Sequence, residues 1–212
     1  MATTARFIKA AENTRPYKSH RYDLFGPKIQ RMLTLYSLVQ VNTWLLLESD
    51  PLVLSYCERP IIVPDTKPKI VVDFWAGYSG RDELWLIHRS AEPAADIDAT
   101  LPAFSQWAKA NRFTIRQLPP AEDVQGKVYL DNWGTIIREL SANRRYLQPA
   151  LLQSVREVLE QQRPIGALCR LLPEEDPVLV RVAAYAMLHS GVASCADIAV
   201  KELGPASLLE LT

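Results

Sequence analysis

Gln40, Asp73 and Arg89 form the one arrangement in this sequence that suggests a reactive or ligand-holding site. Gln40 lies in the helical stretch SLVQVNTWLLLE, Asp73 in the strand-like run IVVDFW, and Arg89 ends the next run, LWLIHRS. A strand-end aspartate can hold a divalent cation, and a neighbouring cation can orient water or grip a phosphate. The set is lean for that task. Asp73 offers one anionic ligand, the Gln40 carbonyl a weak one, and Ile87, two residues before Arg89, none. Arg89 stays protonated at any relevant pH, so it serves as a phosphate grip and not as a base. Other acids lie far along their elements: Glu48 is about 12 Å from Gln40 on a helix, and Glu83 about 13 Å from Ile87 on a strand. Asp73 also has a purely structural use, capping a turn or pairing with Arg89.

Much else is missing. The chain has no glycine-rich phosphate loop, GxSxG elbow, HExxH pair or GxGxxG fingerprint. His20, His88 and His189 have no ligand spacing, and Cys57, Cys169 and Cys195 form an odd set without a CxxC. A zinc site or disulfide framework is therefore not expected, and a reducing cytoplasm is. The N-terminal residues lack the apolar core of a signal peptide. Residues 35–47, interrupted by Gln40 and Asn42, are too short to cross a bilayer, so no membrane partner is expected.

Periodicity gives the helices and strands that carry these residues. Apolar residues at helical spacing predict a helix over 35–48, stopped by Asp50-Pro51. Residues 53–63 read as a strand edged at Pro60, and 69–76 and 84–88 as strands joined by a turn at 77–81. Residues 96–110 read as one helix with Phe104 and Trp107 on its apolar face. A strand at 113–118 ends at Pro119-Pro120, and Trp75, Trp85 and Trp107 are assigned to the core. Beyond it, helices are expected at 128–140, 150–160, 165–172 and 178–189, with a two-stranded wing within 192–200. The fold class is thus α/β, followed by a small helical domain of winged-helix type. The boundaries are a basic arm at 1–34, an α/β domain at 35–125 and a helical domain at 126–212.

The formal net charge is zero, which argues against a nucleic-acid binder until it is divided along the chain. Residues 1–39 carry +5 and residues 126–172 carry +3, while 40–125 and 173–212 each carry −4. Two basic segments suit backbone phosphates. The candidate contacts are Arg15, Lys18, His20, Arg21, Lys28 and Arg31 in the arm, interleaved with Tyr17, Tyr22 and Phe25, together with Arg144 and Arg145. A solvated tail and a solvated helix face are the alternative.

The run SHRYDLFGPKIQRMLTLYSLVQVNTWLLLESDPLVLSYCERPIIV resembles the start of the TnsA endonuclease family, the 5′-strand-cutting subunit of heteromeric bacterial transposases. The likeness rests on the basic aromatic arm, the Leu-Leu-Glu-x-Asp-Pro type stretch, Glu58-Arg59-Pro60, and the xxDFxx strand at 71–76. It covers roughly residues 15–118, and more weakly 148–211. It implies a restriction-endonuclease-like N-terminal domain followed by a winged-helix domain, with transposon-end DNA, a DDE transposase and an AAA+ ATPase as partners. Nucleases of this type place a helix acid, a strand-end aspartate and Glu/Gln-x-Lys around a metal. Here those positions fall on Gln40, Asp73, and Ile87-His88-Arg89, and Asp73 alone keeps its usual identity. The resemblance therefore implies a DNA-binding subunit without nuclease activity and without a cofactor. The alternatives are a Mg²⁺- or Mn²⁺-dependent endonuclease with relocated ligands, and a protein-interaction module on a degenerate nuclease fold.

Overall fold

The computed structural model describes residues 5–88 and 96–212. The chain is mixed α/β and divides into two compact units, one of residues 1–47 and 52–124, the other of residues 48–51 and 125–212. Among the described residues, no helix is long and apolar enough to cross a membrane.

In the first unit, residues 5–21 lack regular structure and lead into an antiparallel hairpin of β1 (Tyr22–Gly26) and β2 (Arg31–Leu35). The helix expected from residue 35 starts later, at Leu38. Leu33 and Leu35 alternate inward with strand periodicity and belong to β2, paired opposite Leu24 and Tyr22. Ser37 then caps α1 (Leu38–Ser49), its hydroxyl accepting the Gln40 N–H at 3.2 Å. Trp44, Leu45 and Leu47 are buried on this helix, and so are Gln40, Asn42 and Thr43.

A four-stranded sheet forms the body of the unit, in the order β3 (Ser55–Glu58), β6 (Phe74–Tyr78), β7 (Arg81–Ile87), β8 (Phe113–Leu118). The first three strands are antiparallel neighbours, and β8 runs parallel to β7. Parallel pairing needs a crossover, which residues 96–110 supply as two helices, α2 (Ile97–Thr100) and α3 (Pro102–Ala110). The single expected helix is broken there because Pro102 has no N–H and pushes Leu101 out of helical dihedrals. The expected strand over 53–63 is likewise two pieces, β3 and β4 (Ile62–Val63), and β4 pairs with β5 (Ile70–Val71). Gly77 is a β6 residue opposite Asp82, so the β6–β7 turn is tighter than expected. Trp75, Leu84, Phe104 and Phe113 lie in the core between sheet and helices. Gly26 is needed at the end of β1. A Cβ there would sit 2.2 Å from the Tyr56 hydroxyl, which accepts the Trp44 indole N–H at 2.6 Å.

Helix α4 (Ala121–Asn143) starts earlier than expected and is broken at Gly126, whose φ of 76° is not helical. Its later part belongs to the second unit and buries Trp133, Ile136, Ile137 and Leu140. There follow α5 (Pro149–Val158), β9 (Arg163–Pro164), α6 (Ile165–Leu171), α7 (Pro177–Ser190), β10 (Ala193–Ser194) and β11 (Leu208–Leu211). Asp176 caps α7 by accepting the Val178 N–H, Pro177 takes the first helical position, and Gly191 ends it in the left-handed region. The strands at this end are not a hairpin within 192–200. β10 pairs with β11, and β11 pairs in turn with β9, giving the order β10-β11-β9. Asn132 of α4 fastens the loop between β10 and β11. Its amide N–H groups reach the carbonyls of Ile198 and Lys201 at 2.8 and 2.7 Å, and its oxygen accepts the Leu203 N–H at 2.8 Å.

Candidate functional site

Asp73 immediately precedes β6 and is 4% exposed. Its backbone is paired on both sides, the Arg59 N–H donating to its carbonyl at 2.8 Å and its own N–H to the Trp85 carbonyl at 3.0 Å. The strand ladder therefore fixes where the side chain starts. One carboxylate oxygen accepts the Gln40 amide at 3.1 Å and the other the Ile87 backbone N–H at 2.8 Å. Three of the four positions singled out from the sequence thus converge: Gln40 from α1, Asp73 from the start of β6, and Ile87 from the end of β7. Arg89 lies outside the described residues.

The geometry gives Gln40 a local duty. Its oxygen accepts the Tyr36 backbone N–H at 3.0 Å while Ser37 caps the same helix. Ser37-Leu-Val-Gln40 is a capping-box arrangement, with the glutamine reaching back to satisfy an N–H just ahead of the helix. Turning the amide over would set oxygen against Asp73 and nitrogen against the Tyr36 N–H, so both neighbours hold it in one orientation. With its oxygen on the cap, Gln40 presents a donor to Asp73. Ile87 is buried and apolar, and its contribution is again a donor. A cation needs oxygen ligands, and these residues offer N–H groups to the one carboxylate between them, so they do not fit a metal.

Other acids of the strands and helices have partners of their own. Glu83 accepts the Trp85 indole N–H at 2.9 Å and pairs with Arg116 and Arg81 at 3.2 and 3.3 Å. Glu58 pairs with Arg31 at 2.6 Å. In the second unit, Glu48 is fully buried, 2.6 Å from His189 Nε2. Among the described residues, no three His, Cys, Asp or Glu side chains gather where they can hold a metal ion.

Asp73 opens onto a cleft that the motif reading did not anticipate. Glu12, Pro16 and Ser19 of the N-terminal segment form one wall, and Gln40, Arg59 and Lys69 line it with Asp73. Arg59 is the clamp of that wall. It is buried, with a left-handed φ of 43°, and donates to the carbonyls of Glu12 and Thr34 at 2.6 and 2.7 Å and to the Asn13 side chain at 2.9 Å. Burial pulls the Arg59 guanidinium below its ordinary value, and the carboxylate of Glu58 opposes that pull. Lys69 pairs with Glu12. Hydrogen bonds from Lys69 and Thr14 hold Glu12 down to about 2. One signal for the Lys69 pairing was present in the sequence: Glu12 is one of two acids in the basic stretch 1–39.

The candidate phosphate contacts fall into two groups. Lys28 donates to the Leu47 carbonyl at 2.8 Å, and Arg31 is paired with Glu58, so both serve the fold. Burial lowers the Arg31 guanidinium, and Glu58 more than restores it, leaving it above its ordinary value. Arg15, Lys18, His20, Arg21, Arg144 and Arg145 are exposed. Among them Arg15 holds the Ser19 carbonyl, Arg21 pairs with Asp23 at 3.0 Å, and Arg145 lies over the Tyr146 ring. Compared with known proteins, the sequence matches no family model and no curated protein.

Proposed function

We propose that this chain is a DNA-binding subunit of a transposition complex, built like the TnsA endonucleases but without cutting activity. The observation that carries the second half of the reading is the state of Asp73. Both carboxylate oxygens receive N–H groups, from Gln40 and Ile87, where a nuclease of this type presents ligands to a metal. The element order supports the first half. A helix, three antiparallel strands, a helical crossover and a parallel fourth strand suit a restriction-endonuclease-like domain. The order α5-β9-α6-α7-β10-β11, with β11 central in its sheet, suits a winged helix. The cytoplasm, transposon-end DNA, a DDE transposase and an AAA+ ATPase belong to the same proposal.

The arm is the better DNA surface. In a helix-turn-helix the second helix reads bases from its N-terminal end. Here α7 is preceded by Glu174-Glu175-Asp176, which repel phosphate, its cation Arg181 pairs with Glu139, and His189 is hydrogen-bonded to Glu48. The test is binding of transposon-end duplex across a salt series, with and without the transposase, alongside cleavage of supercoiled DNA in Mg²⁺ or Mn²⁺. The expected result is affinity falling steeply with salt and no cutting. Absence of binding at low salt, alone or with the transposase, overturns the proposal.

One observation favours a second reading, an endonuclease with relocated ligands: Glu12 and Lys69 line the same cleft as Asp73. Cutting in Mn²⁺ that is lost in both Asp73→Ala and Glu12→Gln selects it.

A further inference from the structure

The turn at residues 16–19 places one aromatic ring at its tip. Tyr17 is 89% exposed, the highest value among the large apolar side chains described. A lone exposed tyrosine is ordinary on a protein surface, but the backbone beneath this one is not. The Ser19 N–H and hydroxyl both donate to the Pro16 carbonyl, at 3.1 and 2.7 Å. The Arg15 guanidinium grips the Ser19 carbonyl from two nitrogens, at 2.9 and 2.6 Å. Lys18 occupies the third position of the turn with a φ of 59°, where a tight turn ordinarily uses glycine or asparagine. A lysine there is held against its preference by the contacts around it, and such strain gathers at binding sites. The result is a fixed base that presents a ring and an ammonium together, with Lys18 Nζ 5.2 Å from the ring centroid.

The surroundings indicate what the tip meets. Arg15, His20 and Arg21 flank it and are exposed. The nearby acids are already partnered, Glu12 with Lys69 and Asp23 with Arg21 and Thr34. Pro16 and Ser19, on either side of Tyr17 and Lys18, line the cleft that holds Asp73. An aromatic ring among cations suits a polyanion with flat faces. Bases inside an intact duplex are already stacked, so a free face exists only at a gap, nick or frayed end. Tyrosine has few rotatable bonds, so holding its ring against a base costs little entropy.

We propose that the Tyr17–Lys18 tip is a base-stacking wedge, in which Tyr17 stacks on an open base face of DNA and Lys18 contacts the adjoining phosphate. This rests on the DNA-binding reading and adds a preferred DNA structure to it. The test compares two duplexes of one sequence, one intact and one with a single-nucleotide gap bordered by 2-aminopurine. The full chain is expected to bind the gapped duplex more tightly, by roughly fivefold to a hundredfold, and to change the fluorescence of the reporter base. Tyr17→Ala is expected to lose that preference and the fluorescence change, binding the two duplexes alike. Tyr17→Phe keeps both. Lys18→Ala weakens binding to both duplexes and lowers the salt slope by about one.

The failures separate. Wild type binding both duplexes equally, or Tyr17→Ala keeping the preference, overturns the wedge and leaves DNA binding standing. Wild type binding neither duplex overturns both. A Tyr17→Ala chain that keeps the gapped-DNA preference but loses capture of a partner protein makes the tip a protein contact and refutes the wedge.

Discussion

Both oxygens of Asp73 accept hydrogen bonds from buried donors, and this makes the residue part of the scaffold. Replacing it leaves the Gln40 amide and the Ile87 N–H without that acceptor, at about 1–3 kcal/mol for each buried donor. Asp73→Ala is therefore expected to lower stability by roughly 2–4 kcal/mol, read as a shift of the urea midpoint. A carboxylate kept for metal chemistry behaves in the opposite way, because removing a functional charge commonly leaves stability unchanged or raised. A neutral or stabilising Asp73→Ala would thus count against the scaffold role. Cys57 gives a second residue-scale expectation. Burial, with Glu58 adding to it, pushes its thiol up to about 12, and its side chain is fully covered in the sheet. Since the thiolate is the reactive form, iodoacetamide at pH 8 is expected to label the partly exposed Cys169 well before Cys57, measured by mass spectrometry of peptides. The raised value has a sign for stability too. The unfolded thiol ionises near 9 and the folded one near 12, so Cys57 weakens the fold as pH rises through that interval.

Elements here are joined by a few polar ties whose removal has directional effects. Arg59 binds the N-terminal segment to β2, and Lys69 binds Glu12 of the same segment. Glu12 has a folded value of about 2 against an ordinary 4.5. Its contribution is therefore complete above about pH 4.5 and is lost as pH falls toward 2. Proteolysis of the segment is expected to accelerate through that window, and Arg59→Ala is expected to accelerate it already at neutral pH. An unchanged cleavage pattern in Arg59→Ala would remove the clamp from the account. In the second unit, Asn132 holds the loop between β10 and β11 by three hydrogen bonds. Asn132→Ala is expected to cost about 2–4 kcal/mol and to expose residues 195–207 in hydrogen exchange, with little change elsewhere in that unit. α1 shows why its boundary was misplaced in the sequence. Leu35 fits helical spacing and strand alternation equally well, and its pairing with Tyr22 decided for the strand.

For the whole molecule, a charge of zero conceals an arm that is basic and a C-terminal segment that is acidic. Phosphate contacts set the salt dependence of DNA affinity. On the DNA-binding proposal, double replacement of Arg15 and Lys18 by alanine is expected to reduce the slope by up to about two, and Arg181→Ala, which sits in an ion pair with Glu139, to leave it unchanged. A slope that responds to Arg181 alone would move the proposed DNA surface to α7. The mixed α/β class, most strands and helices of both units, and the chain positions of Gln40, Asp73 and Ile87 were legible from residue order alone. Those follow from hydrophobic periods and from proline and glycine, which act within a few residues. The roles of these residues emerge with the folded chain. That Gln40 gives Asp73 a donor, that Ile87 supplies a backbone N–H, and that Lys28 and Arg31 turn inward depend on pairings across 14 to 33 residues. The Gln40 cap itself is local, reaching four residues back to Tyr36. The hairpin at 22–35 and the three-stranded order around β11 were missed for the same reason. A strand gains its hydrogen bonds from a partner that the local pattern does not name.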